Sequence, residues 1–159
     1  EDRNVLEEAA RISRGKIEHL DQIKLAQFDA IIFVGGFGVA KNLSSLAFDG
    51  IDYDIDPIIN SLIQDAHQQS KALGFICIAP VLAAAALGSK KVRLTIGNDA
   101  DTAAILEHKG AQHVNCAVDG IVIDSSHRVV TTPAYMLAKD ILQAEAGINK
   151  LVTAILELA

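Results

Sequence analysis

Ala30-Ile-Ile-Phe-Val-Gly-Gly-Phe-Gly-Val-Ala-Lys-Asn42 decides the reading of this chain. Ala30–Val34 is an unbroken apolar run of mostly β-branched and aromatic residues that stops at glycines. Such a run reads as a strand buried on both faces, as strands of parallel sheets are. A second stretch repeats the pattern: Leu73-Gly-Phe-Ile76 is a strand that runs through Cys77 into a helix from about Ala79 to Leu87. Pro80 suits that helix's first turn, where an N–H would have no partner anyway.

Working outward, strands and helices alternate. Asp2 to Arg14 reads as a helix with Val5, Ala9 and Ile12 on one face and Gly15 as its stop. Residues 44–56, rich in Ser and Asp, read as a loop. Pro57 opens a helix whose stripe is Ile58, Ile59, Leu62, Ile63 and Ala66. Val92–Ile96 is a strand, and Asp101 caps a helix that ends at Gly110. Val114–Val118 and Ile121–Asp124 read as strands around an Asp119-Gly120 hairpin turn. Val129–Thr132 is the last strand. A long helix from about Ala134 turns Leu137, Ile141, Ile148, Val152 and Ile155 inward. Alternation of this kind predicts an α/β, flavodoxin-like three-layer α/β/α sandwich with a mostly parallel sheet, in one domain over residues 1–159.

Composition narrows the classes of function. The 159 residues are 50% hydrophobic and 21% charged, which excludes disorder and allows one substantial core burying roughly 70% of the unfolded surface. A net charge of −6 without a Lys/Arg stripe argues against nucleic acid and anionic membranes as partners. The apolar run Ala79–Leu87 is too short to span a bilayer. Two cysteines, Cys77 and Cys116, make no disulfide framework and have no metal-ligand spacing, which fits a reducing compartment and no bound metal.

In open parallel sheets the site lies beyond the carboxyl ends of the strands. The loop at residues 35–42 is open to three readings: a tight strand exit, a dinucleotide fingerprint, or an oxyanion hole of bared N–H groups. The fingerprint fails in part, because Lys41 stands where a third glycine is needed and Asp54 and Asp56 sit in a loop. Cys77 is either a small buried hydrophobe or a nucleophile. A residue on a strand-to-helix turn projects above the sheet, and the positive end of the following helix favours the thiolate. The N–H of Ile78 then faces the same space as that of Gly36.

Val34-Gly-Gly-Phe-Gly-Val-Ala-Lys-Asn-Leu43 and Gly74-Phe-Ile-Cys-Ile-Ala-Pro80 resemble the ThiJ/PfpI superfamily of the class I glutamine amidotransferase-like fold. Arg3-Asn-Val-Leu, Ala10-Arg-Ile-Ser-Arg-Gly15, Thr95-Ile-Gly-Asn-Asp99, His113-Val-Asn-Cys116 and Thr131-Thr-Pro-Ala-Tyr-Met136 narrow the resemblance to the ElbB family, the isoprenoid-biosynthesis or "enhancing lycopene biosynthesis" glyoxalases. It implies a nucleophilic Cys77, an oxyanion hole from Gly36 and Ile78, and a cofactor-independent glyoxalase III-like conversion of glyoxal or methylglyoxal to a hydroxy acid. It also implies a homodimer in the cytoplasm, or in mitochondria for a eukaryotic source. Asn42, Asn98, His113, Thr132 and Tyr135 sit beside strand ends and are candidate pocket residues. For His113 a structural role is the plainer reading.

The superfamily begins with two strands that precede this chain's first helix, and its acid/base glutamate comes from there. The expectation is therefore an N-terminally incomplete domain in which Ala30–Val34 has an unpaired flank. Amidotransferases of this fold carry a histidine where this sequence has Thr132-Pro133, and PfpI-type proteases carry one where it has Ile78, so neither activity is expected. A redox-sensing or regulatory protein using the same cysteine without turnover is the alternative. Cys116 reads as core, His127 as a solvated turn residue, His19, His67 and His108 as surface, and Glu8 with Arg11 as an i, i+3 ion pair.

Overall fold

A computed structural model describes residues 3–159. Strands β1 (Ala30–Phe33), β2 (Ala72–Ile76), β5 (Val122–Asp124) and β6 (Val129–Thr132) form a sheet in the order β1-β2-β6-β5. β1, β2 and β6 are parallel, and β5 joins β6 antiparallel. Strands β3 (Arg93–Leu94) and β4 (Gln112–His113) form a second parallel pair. It is tied to the main sheet by the N–H of Arg93 donating to Asp124 Oδ2 (2.8 Å) and that of Thr95 to Thr131 Oγ1 (2.9 Å).

Alternation along β2 divides the interior in two. Leu73 and Phe75 face the core shared with α3 (Pro57–Gln68), α4 (Pro80–Leu87) and α5 (Ala100–His108). Ala72 and Ile76 face α6 (Ile141–Leu158), packed with Val130, Leu151 and Ile155. Both sheet faces are thus covered by helices, which is the expected three-layer α/β arrangement. Phe33 and Phe75 stack at 5.0 Å across β1 and β2. Gly74 permits the approach of α6, because a Cβ there would lie 3.2 Å from Leu151 and 3.3 Å from Ile155.

Several expectations are corrected by long-range pairing. β1 lies at the sheet edge among the described residues, with the unpaired flank expected of it; what differs is burial, for Ala30, Ile31 and Ile32 are half-buried rather than buried on both faces, and Val34 lies beyond the strand, 70% exposed. The first helix, α1, spans Val5–Ile12 with Asn4 as its N-cap; Asp2 lies outside the described residues. Residues 44–56 are not simply a loop. Ser44 and Ile55 form a bridge around α2 (Leu46–Asp49), and Tyr53 is fully buried with its hydroxyl donating to the Val81 carbonyl at 2.7 Å.

Ile58 leaves the stripe of α3 and is 40% exposed, while Ile59, Ile63 and Ala66 are buried. Asp99, not Asp101, caps α5, its carboxylate accepting from the Thr102 N–H at 2.8 Å. Only Arg93–Leu94 within 92–96 pairs as strand. The 114–118 segment forms no hairpin with 121–124. Val114 and Cys116 bond instead to Leu94 and Gly97, and the true hairpin turn is 125–128, between β5 and β6. α6 starts at Ile141 behind an Asp140 cap, after a short 3₁₀ turn at Ala134–Met136, and Ile141 points outward.

Candidate functional site

The carboxyl ends of β1, β2 and β6 bring the two singled-out loops together. Cys77 follows β2 directly and takes φ +64°, a left-handed conformation that costs a non-glycine residue on the order of 1 kcal/mol or more. Its N–H donates to the Thr132 carbonyl at 3.0 Å, which ties the turn to the end of β6. The half-buried side chain stands at the start of α4. This is the strand-to-helix elbow on which related α/β architectures mount a nucleophile.

Gly35 packs against the elbow from the β1 side. A Cβ on it would lie 2.5 Å from the Ile76 carbonyl oxygen, 2.7 Å from Cys77 Cβ and 3.1 Å from the Ile78 nitrogen. Only glycine fits there. Gly36 follows at φ +107° in open space, so here it is the backbone angle that selects glycine. Among the described residues, the N–H groups of Gly36 and Ile78 have no hydrogen-bond acceptor in the protein. Two unpaired donors beside a strained cysteine can accept charge that develops on an oxygen bound at that carbon.

The chain then enters a single π-helical turn, Val39–Leu43, a rare conformation often found at functional sites. Lys41 lies over the Phe37 ring at 5.1 Å. Asn42 lines a depression of about 680 Å³ against α1 together with Glu8 and Arg11. There Glu8 bridges Arg3 (2.8 Å) and Arg11 (3.3 Å), the second being the expected pair.

The remaining candidate residues divide by environment. Tyr135, 59% exposed, follows Ala134, which like Cys77 takes a positive φ (+43°) past a strand end. Asn98 is exposed in the bend before α5. Thr132 is buried, its hydroxyl donating to the Gly120 carbonyl at 2.8 Å. The Nε2 of His113 accepts from the Ile96 N–H at 3.4 Å, and burial lowers the ring's pKa. Thr132 and His113 therefore hold backbone rather than open space. Burial, then the neighbouring Asp119, pushes the Cys116 thiol up, and its sulfur packs at Gly120.

At the opposite end of the sheet a polar cluster occupies the β5–β6 turn. Asp124 is buried, and burial alone would raise its carboxyl. The Ser126 hydroxyl, the Arg93 N–H and the His127 ring and N–H outweigh that and hold it at about 2. Ser126 donates at 2.6 Å, and Nδ1 of His127 lies 2.9 Å from Oδ2. His127 is thus not a solvated residue: only 19% of its side chain is exposed. His67, at the end of α3, is half-buried and stacks on it with ring centroids 5.5 Å apart, whereas His19 and His108 lie at the surface. Burial, then His127 and Lys90, lowers the His67 pKa. The sequence marks the loop that contains Gly35 but not the contact of that residue with the elbow, and it does not mark this cluster. The pair of adjacent glycines offered a signal for the first, and nothing local joins His67 to His127.

Among the described residues no group of three or more His, Cys, Asp or Glu is placed to hold a metal ion, and no helix is long and apolar enough to cross a membrane. No protein-family model matches the chain.

A mostly parallel sheet between helical layers, with a strained cysteine on the elbow after a central strand, defines a class I glutamine amidotransferase-like domain, and this chain belongs to that family. It is similar to the isoprenoid biosynthesis protein with amidotransferase-like domain from Ehrlichia chaffeensis, at TM-score 0.89 and 32% identity over 99% of this chain and 72% of that one. Two mitochondrial proteins are each 41% identical over 167 aligned positions, covering 99% of this chain: the ES1 protein homolog of Rattus norvegicus and the human glutamine amidotransferase-like class 1 domain-containing protein 3. The chain spans 62% of the length of these two relatives.

Proposed function

We propose that this chain carries the nucleophile of an ElbB-type, ThiJ/PfpI glyoxalase that converts glyoxal or methylglyoxal to a hydroxy acid without glutathione or metal. The observation that carries this reading is Cys77 at φ +64°, with Gly35 backbone packed against it and the Gly36 and Ile78 N–H groups unpaired. The Cys77 sulfur adds to the aldehyde carbon, giving a hemithioacetal whose oxyanion those N–H groups stabilise. The proton on that carbon is then moved to the neighbouring carbonyl carbon, which becomes the hydroxyl-bearing centre, and the first carbon becomes a thioester. Water hydrolyses the thioester, releasing the hydroxy acid and restoring the thiol. One dicarbonyl and one water give one hydroxy acid, with no external oxidant.

The resemblance assigns the proton transfer to a glutamate that has no counterpart among these residues. A homodimeric assembly belongs to the same proposal. So does a cytoplasmic location, or a mitochondrial one in a eukaryote, as the names of the rat and human relatives suggest. The test is methylglyoxal consumption, with hydroxy-acid product measured directly, by the wild type and by Cys77→Ala. Consumption that disappears in the variant supports the reading. Equal consumption by both removes Cys77 from the mechanism. Wild-type inactivity combined with ready peroxide oxidation of Cys77 favours redox sensing instead.

A further inference from the structure

We propose that Thr132 is a positioning residue for Cys77: its side chain fixes the end of β6, so that the Thr132 carbonyl holds the cysteine in its left-handed conformation and thereby sets the reactivity of the sulfur. The inference rests on reading Cys77 as the reacting group, and not on which aldehyde it takes. A non-glycine residue stays at φ +64° only where its surroundings over-determine that angle. Gly35 closes in from the β1 side. From the β6 side the constraint is the Cys77 N–H, which donates to the Thr132 carbonyl at 3.0 Å. That bond lies one residue past the β2–β6 ladder, whose last pair is Ile76 with Thr132.

That carbonyl needs an anchor of its own. On the other flank of β6 the ladder to β5 ends at Val122 opposite Thr131, so Thr132 takes no rung from that strand. Beyond it, Pro133 has no N–H to donate, and Ala134 leaves the extended conformation at φ +43°. The Thr132 hydroxyl takes the place of the missing rung by donating to the Gly120 carbonyl at 2.8 Å. Thr132 is fully buried, so its hydroxyl has no water to turn to instead. Gly120 closes a turn in which its N–H donates to the Ala117 carbonyl at 2.9 Å. α6 presses on the same place, for a Cβ on Gly147 would lie 2.6 Å from Thr132 Oγ1 and 2.9 Å from the Val118 carbonyl oxygen. One hydroxyl thus ties the end of β6, and through it the elbow, to the turn that precedes β5.

The experiment is alkylation by iodoacetamide under native conditions, with the second-order rate at Cys77 followed by peptide mass spectrometry. Alkylation takes the anionic sulfur, which the partial positive charge at a helix start stabilises only while the elbow holds the sulfur there. Thr132→Val keeps the branched shape and loses the hydroxyl. It should slow the rate about 10-fold, short of the ~100-fold that a displacement of about 1 Å costs. Thr132→Ser, which keeps the hydroxyl, should restore the wild-type rate. Gly147→Ala pushes on Thr132 without altering it and should also slow Cys77, so it reads the same contact even if Thr132→Val unfolds. Asp99→Ala, which removes the α5 cap, should leave the rate unchanged and so separates positioning from loss of stability alone. An unchanged or faster rate in Thr132→Val, or no recovery in Thr132→Ser, overturns the proposal and leaves the nucleophile in place. A wild-type Cys77 that reacts no faster than Cys116 overturns the nucleophile and the proposal together.

Discussion

Replacing Gly35 with alanine tests the close approach on which the candidate site depends. The new methyl would sit 2.5 Å from the Ile76 carbonyl oxygen, 2.7 Å from Cys77 Cβ and 3.1 Å from the Ile78 nitrogen, against ordinary contacts of 3.4–4 Å. Two of these neighbours are backbone atoms and the third is fixed to backbone, so none can swing aside. Relief requires the glycine loop to withdraw from the elbow by about 1 Å, and overpacking of this kind costs about 1–3 kcal/mol. A displacement of about 1 Å at a reacting group costs up to about 100-fold in rate. Urea unfolding gives the first quantity, and the second-order rate of Cys77 alkylation with methylglyoxal turnover gives the second. For the urea measurement Gly36→Ala is the control, because its Cβ meets nothing within 4 Å and the stability cost there comes from φ +107°. A Gly35→Ala protein with wild-type stability and unchanged Cys77 kinetics would refute the packing of the loop on the elbow.

Acid should weaken the fold through Asp124. Its folded pKa of about 2 lies below its ordinary 3.8, so the stabilisation is complete above about pH 4 and is lost as the pH falls towards 2. A shift of that size amounts to roughly 2 kcal/mol, which Asp124→Asn should forfeit at neutral pH, with a flatter acid limb in a stability–pH series. At α5, Asp99→Ala should cost about 1 kcal/mol and Asp101→Ala a few tenths, because only Asp99 holds the Thr102 N–H. Equal losses in chemical denaturation would contradict the cap assignment. Tyr53→Phe leaves the buried Val81 carbonyl without its 2.7 Å donor and should cost about 1–3 kcal/mol by the same measurement.

Much of this architecture is legible along the chain because it rests on short-range rules. The apolar runs at 30–34 and 73–76, each ending in a loop, announce parallel strands, and Pro57 and Pro80 mark where α3 and α4 begin. The position of Cys77 between strand and helix is equally local, so its place on the elbow is legible in the sequence alone. Pairing is another matter. Asp119-Gly120 has the composition of a hairpin turn, yet the segment before it spends its hydrogen bonds on Leu94 and Gly97, and the hairpin closes at 125–128 instead. Propensity cannot choose between two partners that are both distant in sequence; the ladder with the better-covered neighbour decides.

Burial follows the same division. The β-branched run of β1 looks like a strand buried on both faces, and its half-exposure follows from its place at the sheet edge among the described residues. Tyr53, within a polar stretch, is buried because α4 offers it a carbonyl. The sequence by itself determined the layer order, the elbow at Cys77 and the glycine loop beside it, since each depends on residues adjacent in the chain. Only the tertiary structure decided that Gly35 is the residue in contact with the elbow, that His113 and Thr132 hold backbone, and that His67 meets His127. Those contacts join segments separated by 12 residues or more, and their geometry exists only once the sheet has set the register between them.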